Sequence, residues 1–383
     1  MLNVSFIMKQ SKIENRYSFK TNYIDDYDHF KEKILEKSII PYQVEFQPPP
    51  RSKKKICWLE CPYCYGLSAE DNGDRMTELR SLEILKQIAS RGVNKVIFAG
   101  YATDPLNCSY IDELLECAIN HNMIFGFNTK ALNVNQKMIS LLSRNDILSD
   151  SYMSISVDAG SDMVYNKFHD VKSNAKLYKR VLRNVAKIST AMSKSDSKID
   201  LSAAYLINNL NIFTQEIYNF INDFKSAGCN VLRFTFPQLP RGLSPDSSII
   251  PNKDDCLKYK EIILNAVSKY SDKNCRILLV DADDEHDIFR KPRSLPCFAR
   301  FVFPTVGFDG WLYHCSQSSS PNFRSMALGN LNEKDFWDAY YDYDANNMAE
   351  NFKNFSVQMN RNNCKCDRKM HVMNTSVSAK IVF

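Results

Sequence analysis

Residues 95–127, KVIFAGYATDPLNCSYIDELLECAINHNMIFGF, contain one complete strand–helix–strand unit. The apolar run Lys95–Ala99 predicts a buried strand, and the apolar run Met123–Phe127 predicts a second one. Between them, apolar residues recur at helical spacing over Ile111–Asn120 and predict an amphipathic helix. Two strands joined through a helix predict parallel pairing with a right-handed crossover.

The same alternation extends from this unit in both directions. Further strands are predicted at Lys53–Cys57, Tyr152–Val157, Lys198–Ile207 and Asn230–Phe236. Further helices are predicted at Thr77–Arg91, Asn135–Ser143, Asn174–Met192, Thr214–Ala227 and Asp254–Lys269. Six β/α units predict an α/β fold with a parallel sheet, and Arg276–Val280 would add one strand. Because eight units would close a full barrel, we expect an open, partial (β/α)6 TIM-like barrel, with a doubly wound sheet as the alternative.

The two ends of the chain differ from this central part. Residues 1–50 are polar, carry one predicted helix at Asp26–Lys37, and end in three prolines that stop regular structure. Beyond Pro292 the alternation ceases, and short strands, an aromatic helix at Asp335–Tyr341 and a cysteine-bearing tail follow. The sequence therefore predicts three parts: an N-terminal extension (1–50), a β/α domain (51–285) and a small C-terminal α+β domain (286–383).

Composition excludes several classes of protein. The chain has 383 residues, of which 44% are hydrophobic and 24% charged, and this excludes a disordered protein or a collagen. No stretch approaches the length of a transmembrane helix, and the N-terminal run is too short and polar for a signal peptide. A net charge of +5 is too small to indicate nucleic-acid binding. We therefore expect a cytoplasmic protein that binds neither membrane nor nucleic acid, in an oligomeric state that the sequence does not indicate.

Twelve cysteines in a chain without an export signal indicate metal or redox chemistry, because a reducing cytosol disfavours disulfides. Cys57, Cys61 and Cys64 lie within eight residues, directly after the first predicted strand. Three thiolates are too few for a closed zinc site, but they suit a [4Fe–4S] cluster whose fourth iron stays open to another ligand. Tyr63 would cover that cluster from solvent. The alternative is a zinc knuckle completed by a distant histidine.

The pattern Cys-x3-Cys-x-aromatic-Cys on the loop after the first strand of a six-fold β/α barrel resembles the hallmark of radical S-adenosylmethionine (SAM) enzymes. The resemblance implies that the amino and carboxylate groups of SAM chelate the open iron. It also implies that an electron from the cluster cleaves SAM to methionine and a 5′-deoxyadenosyl radical, which abstracts hydrogen from a substrate. A flavodoxin- or ferredoxin-type protein would donate that electron.

The resemblance also implies SAM contacts at the ends of four strands. The matching positions are Gly100, Asp104, Ser156, Asp158, Asn208 and Arg233. Gly100 and Asp104 stand where the family carries a Gly-Gly-Glu-Pro-like segment, which this chain matches loosely. The serine–aspartate pair would bond the ribose, the asparagine would face the adenosine, and the arginine would contact the SAM carboxylate or the substrate. The alternatives are ordinary strand-end and turn residues and, for the arginine, a structural salt bridge.

A second group of cysteines lies in the last quarter of the chain: Cys297, Cys315, Cys364 and Cys366. Asp309-Gly310 between apolar runs predicts a hairpin that would bring the first two together. This tail resembles the twitch domain, the shortened form of the SPASM auxiliary-cluster domain, and so implies an auxiliary [4Fe–4S] cluster with four protein thiolates. The final Cys-x-Cys departs from the more usual Cys-x2-Cys. The alternative is a structural zinc site.

The other five cysteines are expected to be small buried hydrophobes. Among them, Cys108 follows the second predicted strand on the side where a β/α barrel carries its active site, so it is the candidate hydrogen-atom donor. Buried packing is the alternative for Cys108. The acidic run 281–287 lacks the spacing of a calcium loop, and a solvated turn is the preferred interpretation.

The sequence thus predicts a radical SAM enzyme of oxidoreductase or isomerase type. Its substrate would be a peptide or a small, aminosugar-like natural-product precursor, and the outcome dehydrogenation, epimerisation or cross-linking. The alternatives are an iron–sulfur electron carrier and a zinc-stapled binding module without catalysis. A carrier would bind its cluster through a full set of protein ligands, and this first group has only three cysteines.

Overall fold

The structure, a computed structural model, describes residues 22–50, 57–64, 66, 73–101, 103–238, 249–280 and 296–383. Residues 53–56 of the first predicted strand and the acidic run 281–287 lie outside the described residues. The described part is built on one sheet with helices packed against it. The fold is therefore α/β, as predicted.

Ten strands form the sheet: β1 (Val44–Phe46), β2 (Lys95–Ala99), β3 (Ile124–Thr129), β4 (Tyr152–Ser156), β5 (Asp200–Leu206), β6 (Val231–Thr235), β7 (Arg276–Leu279), β8 (Thr305–Val306), β9 (Trp311–Tyr313) and β10 (Gly329–Asn330). The spatial order is β10-β9-β8-β1-β2-β3-β4-β5-β6-β7. Strands β1 to β7 are parallel, β8 is parallel to β1, and β9 runs antiparallel to its two neighbours. Because β7 and β10 are not paired with each other, the sheet stays open, consistent with a partial barrel.

Twelve α-helices lie in the described residues: α1 (Tyr27–Leu35), α2 (Glu78–Ser90), α3 (Ile111–Asn120), α4 (Gln136–Leu142), α5 (Asp162–Phe168), α6 (Leu177–Ser195), α7 (Thr214–Ser226), α8 (Lys253–Tyr270), α9 (Ala299–Val302), α10 (Phe336–Tyr340), α11 (Met348–Arg361) and α12 (Arg368–Ser378). The predicted helices are confirmed with bounds within three residues. Thr77 caps α2 as predicted, because its side chain accepts a hydrogen bond from Arg80 N.

The first strand of the described residues was not predicted. Val44–Phe46 lies in the stretch predicted to be a polar extension, yet it pairs with both β2 and β8 near the middle of the sheet. Three residues with a charged Glu45 at their centre give too short an apolar pattern to indicate a strand. Helix α5 was likewise missed. The predicted domain limits at 50 and 285 stay predictions, while a single sheet runs across both.

The two faces of the sheet differ in composition. On one face, Val96 and Phe98 pack with the helices in the main hydrophobic core. On the other, which we call the inner face, Ile97 clusters with the ring of Tyr152. A Cβ atom at Gly126 would lie 2.4 Å from that ring, so glycine makes room for it. By strand alternation the inner face also carries the polar side chains Glu45, Ser154 and Arg233.

Candidate active site

The first cysteine group lies on the connection from β1 to α2, at the edge of the sheet where parallel strands end. Cys57, Cys61 and Cys64 are all half-buried free thiols. The loop turns tightly, because Cys64 N donates to the Cys61 carbonyl over 2.9 Å. The three cysteines follow β1 in the chain, and the strand predicted directly before them, Lys53–Cys57, lies mostly outside the described residues.

The three thiols lie close enough together to act on one another electrostatically. Burial raises the pKa of Cys61 to about 12, Lys130 opposes that change, and Cys64 and Cys57 add to it. Among the described residues no three His, Cys, Asp or Glu side chains converge on one metal ion. A cubane cluster does not require such convergence, because each thiolate binds a different iron. Three adjacent thiols on one loop therefore fit a [4Fe–4S] cluster with one open iron.

A buried ion pair lies beside Cys61. Lys130 Nζ donates to Asp158 Oδ2 over 3.0 Å, and the two side chains are only 14% and 2% exposed. Burial alone would lower the pKa of Lys130, but neighbouring anions led by Asp158 raise it above its usual value. The ammonium also lies 5.9 Å from the centre of the Phe168 ring. Lys130 is therefore a permanent positive charge next to the cysteine loop.

The backbone adopts a left-handed conformation at one partner of this pair and directly after the other. Asp158 has a φ of 60°, and Ala131, directly after Lys130, has a φ of 53°. Residues other than glycine rarely adopt this backbone conformation, and neighbouring hydrogen bonds hold it in place here. Asn184 Nδ2 donates to the Ala131 carbonyl over 2.8 Å, and Leu206 N donates to Asp158 Oδ1 over 2.8 Å.

Lys130 was missed by the sequence analysis. The signal was present, because Lys130 follows β3 directly, and polar residues after β2, β4, β5 and β6 were all taken as candidates. Asn211 was missed as well. Its side chain is fully buried and donates to the carbonyls of Asp158 and Leu206. A long-range role of this kind has no local sequence pattern.

Gly100 and Asp104 shape the turn after β2. A Cβ at Gly100 would lie 1.7 Å from the Thr103 carbonyl oxygen, so the turn requires glycine. The Asp104 carboxylate accepts hydrogen bonds from Leu106 N, Thr129 Oγ1 and Lys130 N. Burial raises the pKa of Asp104. These bonds use most of the carboxylate's acceptor sites, so the structure gives Asp104 a turn-forming role, and its contact with SAM stays a prediction.

The residues predicted after β4 and β5 behave differently from each other. Ser156 is half-buried, and its hydroxyl makes no hydrogen bond to the described residues. Asn208 is fully buried, and its side chain closes a turn by accepting from Leu210 N and donating to the Leu206 carbonyl. Of the two, Ser156 has the hydrogen-bonding capacity to meet a bound molecule.

Arg233 and Tyr63 have different contacts. Arg233 reaches across β5 on the inner face to within 3.4 Å of Ser154 Oγ. Tyr63 is 7% exposed, donates to the Ile249 carbonyl over 3.0 Å and packs 5.8 Å from the Phe168 ring. Tyr63 thus packs between the loop and Phe168, whereas its covering of a cluster and its contact with SAM stay predictions.

The second cysteine group comes together from three separate segments. Cys297 precedes α9, Cys315 follows β9, and Cys364 and Cys366 connect α11 to α12. The predicted hairpin is confirmed as β8–β9, with Gly310 at a φ of 84° in its turn. Burial raises the pKa of Cys315, and the other three thiols act on it in the same direction. Because no three of the described side chains converge on one metal ion, these four thiols fit a cluster, in which each thiolate binds a different iron, better than a zinc ion.

A cavity of about 380 Å³ opens next to Cys297 and is lined by Arg300, His314 and Phe355. Burial lowers the pKa of Arg300 to about 10, and it keeps His314 neutral by lowering its pKa. The ring of His314 stacks 3.7 Å from that of Phe355. None of the predicted SAM contacts lines this cavity, so it is separate from the first cysteine group.

Cys108 lies in the main hydrophobic core and is 1% exposed. Its neighbour is Tyr110, whose pKa it helps to raise after the larger effect of burial. This placement favours the packing alternative over hydrogen donation. All five scattered cysteines are buried, as expected.

Comparison with known proteins identifies the central part of the chain. Residues 53–199 match the family model of the Radical SAM superfamily. The chain carries a radical SAM domain. The match implies an enzyme that uses a [4Fe–4S] cluster and SAM, and the matched range contains the first cysteine group, Lys130 and Asp158. The second cysteine group lies outside it. No curated protein matches the chain.

Solved structures of Streptococcus suis SuiB resemble the whole fold. Three of them, SuiB by itself, SuiB bound to S-adenosylmethionine and SuiB bound to precursor peptide SuiA, each align with a TM-score of 0.57. The alignments cover 88% of this chain and 76% of SuiB, at 15% identity. At that identity the likeness shows the fold alone. In the part of the chain that the structure describes, no helix has the length and apolar character needed to cross a membrane.

Proposed function

We propose that this radical SAM enzyme contains two [4Fe–4S] clusters and performs an oxidoreductase- or isomerase-type reaction on a peptide or aminosugar-like substrate. The observation that carries the proposal is the three-thiol loop beside the buried cation Lys130, inside the matched superfamily range. When bound, the cluster and SAM supply a carbon radical that removes hydrogen from the substrate.

The chain's own residues would hold and orient these groups. Cys57, Cys61 and Cys64 would bind three irons, and Tyr63 would limit access of water from its side of the loop. The half-buried hydroxyl of Ser156 would donate to SAM. Arg233, on the inner face, would contact the SAM carboxylate or the substrate. Gly100 would let the backbone pass close to the bound molecule, since a side chain has no room in that turn.

The second cluster would be held by Cys297, Cys315, Cys364 and Cys366. Support comes from the mutual electrostatic influence of these thiols and not from the superfamily match. Such a cluster would accept an electron from a substrate radical and so favour oxidation. A flavodoxin- or ferredoxin-type protein in the cytoplasm would reduce the first cluster.

A peptide substrate is supported by one comparison. SuiB, which shares the fold over most of this chain, has been solved bound to precursor peptide SuiA. An aminosugar-like small molecule is the second substrate class that the C-terminal resemblance implies. The charges on the inner face bear on the choice between these two substrate classes.

Anaerobic reconstitution tests the proposal. We expect about eight irons and eight sulfides per chain, that is, two clusters. With SAM and dithionite, the protein should form 5′-deoxyadenosine, detected by mass spectrometry. Iron without SAM cleavage would indicate an electron carrier, and bound zinc without iron would indicate a binding module. Either result would contradict the proposed function.

A further inference from the structure

A polar cluster lies on the inner face where β1 meets the segment after Cys366. It consists of Glu45, Gln47, Gln317 and Asp367, and we call it the Glu45 cluster. Gln47 Nε2 donates to Glu45 Oε1 over 3.0 Å and to Ser319 Oγ over 2.8 Å. Gln317 Nε2 donates to Asp367 Oδ2 over 3.1 Å. The two carboxylates are close enough to act on each other electrostatically.

Among the described residues, the cluster contains one buried acceptor without a donor, Gln47 Oε1, whereas the Asp367 carboxylate already accepts from Gln317 Nε2 and from Met370 N. Gln47 is 1% exposed, both its amide hydrogens are used, and its Oε1 has no hydrogen-bond partner within the described residues. A buried acceptor of this kind costs about 1–3 kcal/mol when unpaired. Within the same part of the chain, neither Glu45 nor Asp367 forms an ion pair within 4 Å. In the described structure Gln47 Oε1 therefore lacks a hydrogen-bond donor, and the two carboxylates lack a paired positive charge.

Lys369 supplies neither a hydrogen bond nor an ion pair to the cluster. Lys369 acts on Glu45 from a distance, but its ammonium lies 4.1 Å from the centre of the Phe303 ring and 5.0 Å from that of Tyr23. Burial lowers the pKa of Lys369 to about 8 and raises that of Glu45 to about 7. Buried carboxylates normally pair with cations.

We propose that the Glu45 cluster binds a primary ammonium group of the substrate. An ammonium carries three N–H donors and one positive charge, which match Gln47 Oε1 and the carboxylates of Glu45 and Asp367. A free amine on an aminosugar or a lysine side chain of a peptide supplies this chemistry, whereas an N-acetylated amine does not. The inference rests on the proposed function, because it takes the inner face as the place where substrate binds.

Binding of matched probes to the reconstituted holoenzyme at pH 7.5 tests the proposal. One arm compares D-glucosamine with N-acetyl-D-glucosamine, and the other compares acetyl-Gly-Lys-Gly-amide with its Nε-acetyl form. In at least one arm, we expect the free amine to bind at least tenfold more tightly by calorimetry. The arm that shows the preference identifies the source. Equal binding within each pair, or no binding of either amine at 20 mM, would overturn the proposal.

Variants locate the preference. Glu45→Gln and Gln47→Met should each reduce it to less than threefold, with iron content and circular dichroism confirming that the protein has folded. Glu32→Gln, on a carboxylate whose side chain is 71% exposed on α1, should keep it. A preference that survives in both site variants would overturn the ammonium site. SAM cleavage without substrate is measured separately on wild type and Glu32→Gln, and its absence there would sink the proposed function and not this inference.

Discussion

The two cysteine groups are built in opposite ways. Cys57, Cys61 and Cys64 come from one loop of eight residues, are half-buried and lie beside the cation Lys130. In the second group, Cys297, Cys315 and Cys364 come from distant segments and are each no more than 6% exposed, whereas Cys366 is half-buried. The carboxylate of Asp367 acts on Cys315. A local, accessible group leaves room for an exogenous ligand, whereas a buried group made from three segments encloses what it binds.

This contrast predicts that removal of the two cysteine groups will have different consequences. The residues of the first group share one loop, so we expect its loss to disturb the packing of distant segments less than loss of the second group. The second group ties α9, β9 and the α11–α12 connection together, so that its loss affects both metal content and folding of the C-terminal third.

Removal of the first group should have the largest effect. Replacing Cys57, Cys61 and Cys64 together with alanine should remove about four of about eight irons. Formation of 5′-deoxyadenosine should fall below detection, because no iron remains to bind SAM. Iron analysis and mass spectrometry check both outcomes. Full SAM cleavage in the triple variant would exclude this loop as the cluster site.

Removal of the second group should lose the other four irons, about one cluster, and leave SAM cleavage in place. The change is Cys364→Ala with Cys366→Ala. We expect SAM cleavage without substrate to continue, since the first group and the matched superfamily range are untouched. Near-unchanged iron content would show that these two cysteines are not ligands. Retained zinc in the wild-type protein would favour the structural zinc alternative.

The ion pair beside the first group should contribute more than an exposed pair. Lys130→Met leaves Asp158 buried without its cation and should lower the free energy of unfolding by about 3 kcal/mol. Lys137→Met is the control, because Lys137 pairs with Glu113 at 48% and 37% exposure and should cost less than about 1 kcal/mol. Adding Asp158→Asn should restore part of the loss, since asparagine tolerates a positive φ. Equal losses for the two lysine variants, by chemical denaturation, would contradict a special role for Lys130.

How far the sequence predicts this molecule depends on the range of the interactions. Alternating apolar runs predicted β2 to β7 and their helices, because each is a local pattern of sufficient length. The three-residue β1 and the two-residue β8 are strands only because neighbouring strands pair with them. The first cysteine group was readable from spacing alone. Lys130 stands directly after β3 and could have been listed as a candidate, but its pairing with Asp158 and the role of Gln47 depend on distant residues and have no local pattern.

Beside the second group, Glu45 should make stability depend on pH. Its pKa in the folded protein, about 7, lies above the ordinary value of 4.5, so the folded state holds the proton more tightly. The contribution of Glu45 to the free energy of unfolding is therefore fully present below pH 4.5, and it is lost as the pH rises to about 7. Glu45→Gln should be more stable than wild type above pH 7, by up to about 3 kcal/mol, and the advantage should shrink towards pH 4.5. Glu32→Gln is the control, and identical pH profiles for all three proteins would contradict the prediction.

Cys108 belongs to neither group and should show the smallest effect. It lies in the core beside Tyr110, away from the inner face, so Cys108→Ala should remove packing and cost about 1 kcal/mol of stability. Formation of 5′-deoxyadenosine should stay within about twofold of wild type. Turnover in deuterated water, once a substrate is known, tests the donor role that the sequence suggested. If the wild-type product carries solvent deuterium and the folded variant's product does not, Cys108 is the donor after all. Equal deuterium in both products makes it a core residue, and a product two hydrogens lighter than the substrate means that the reaction is a dehydrogenation needing no donor.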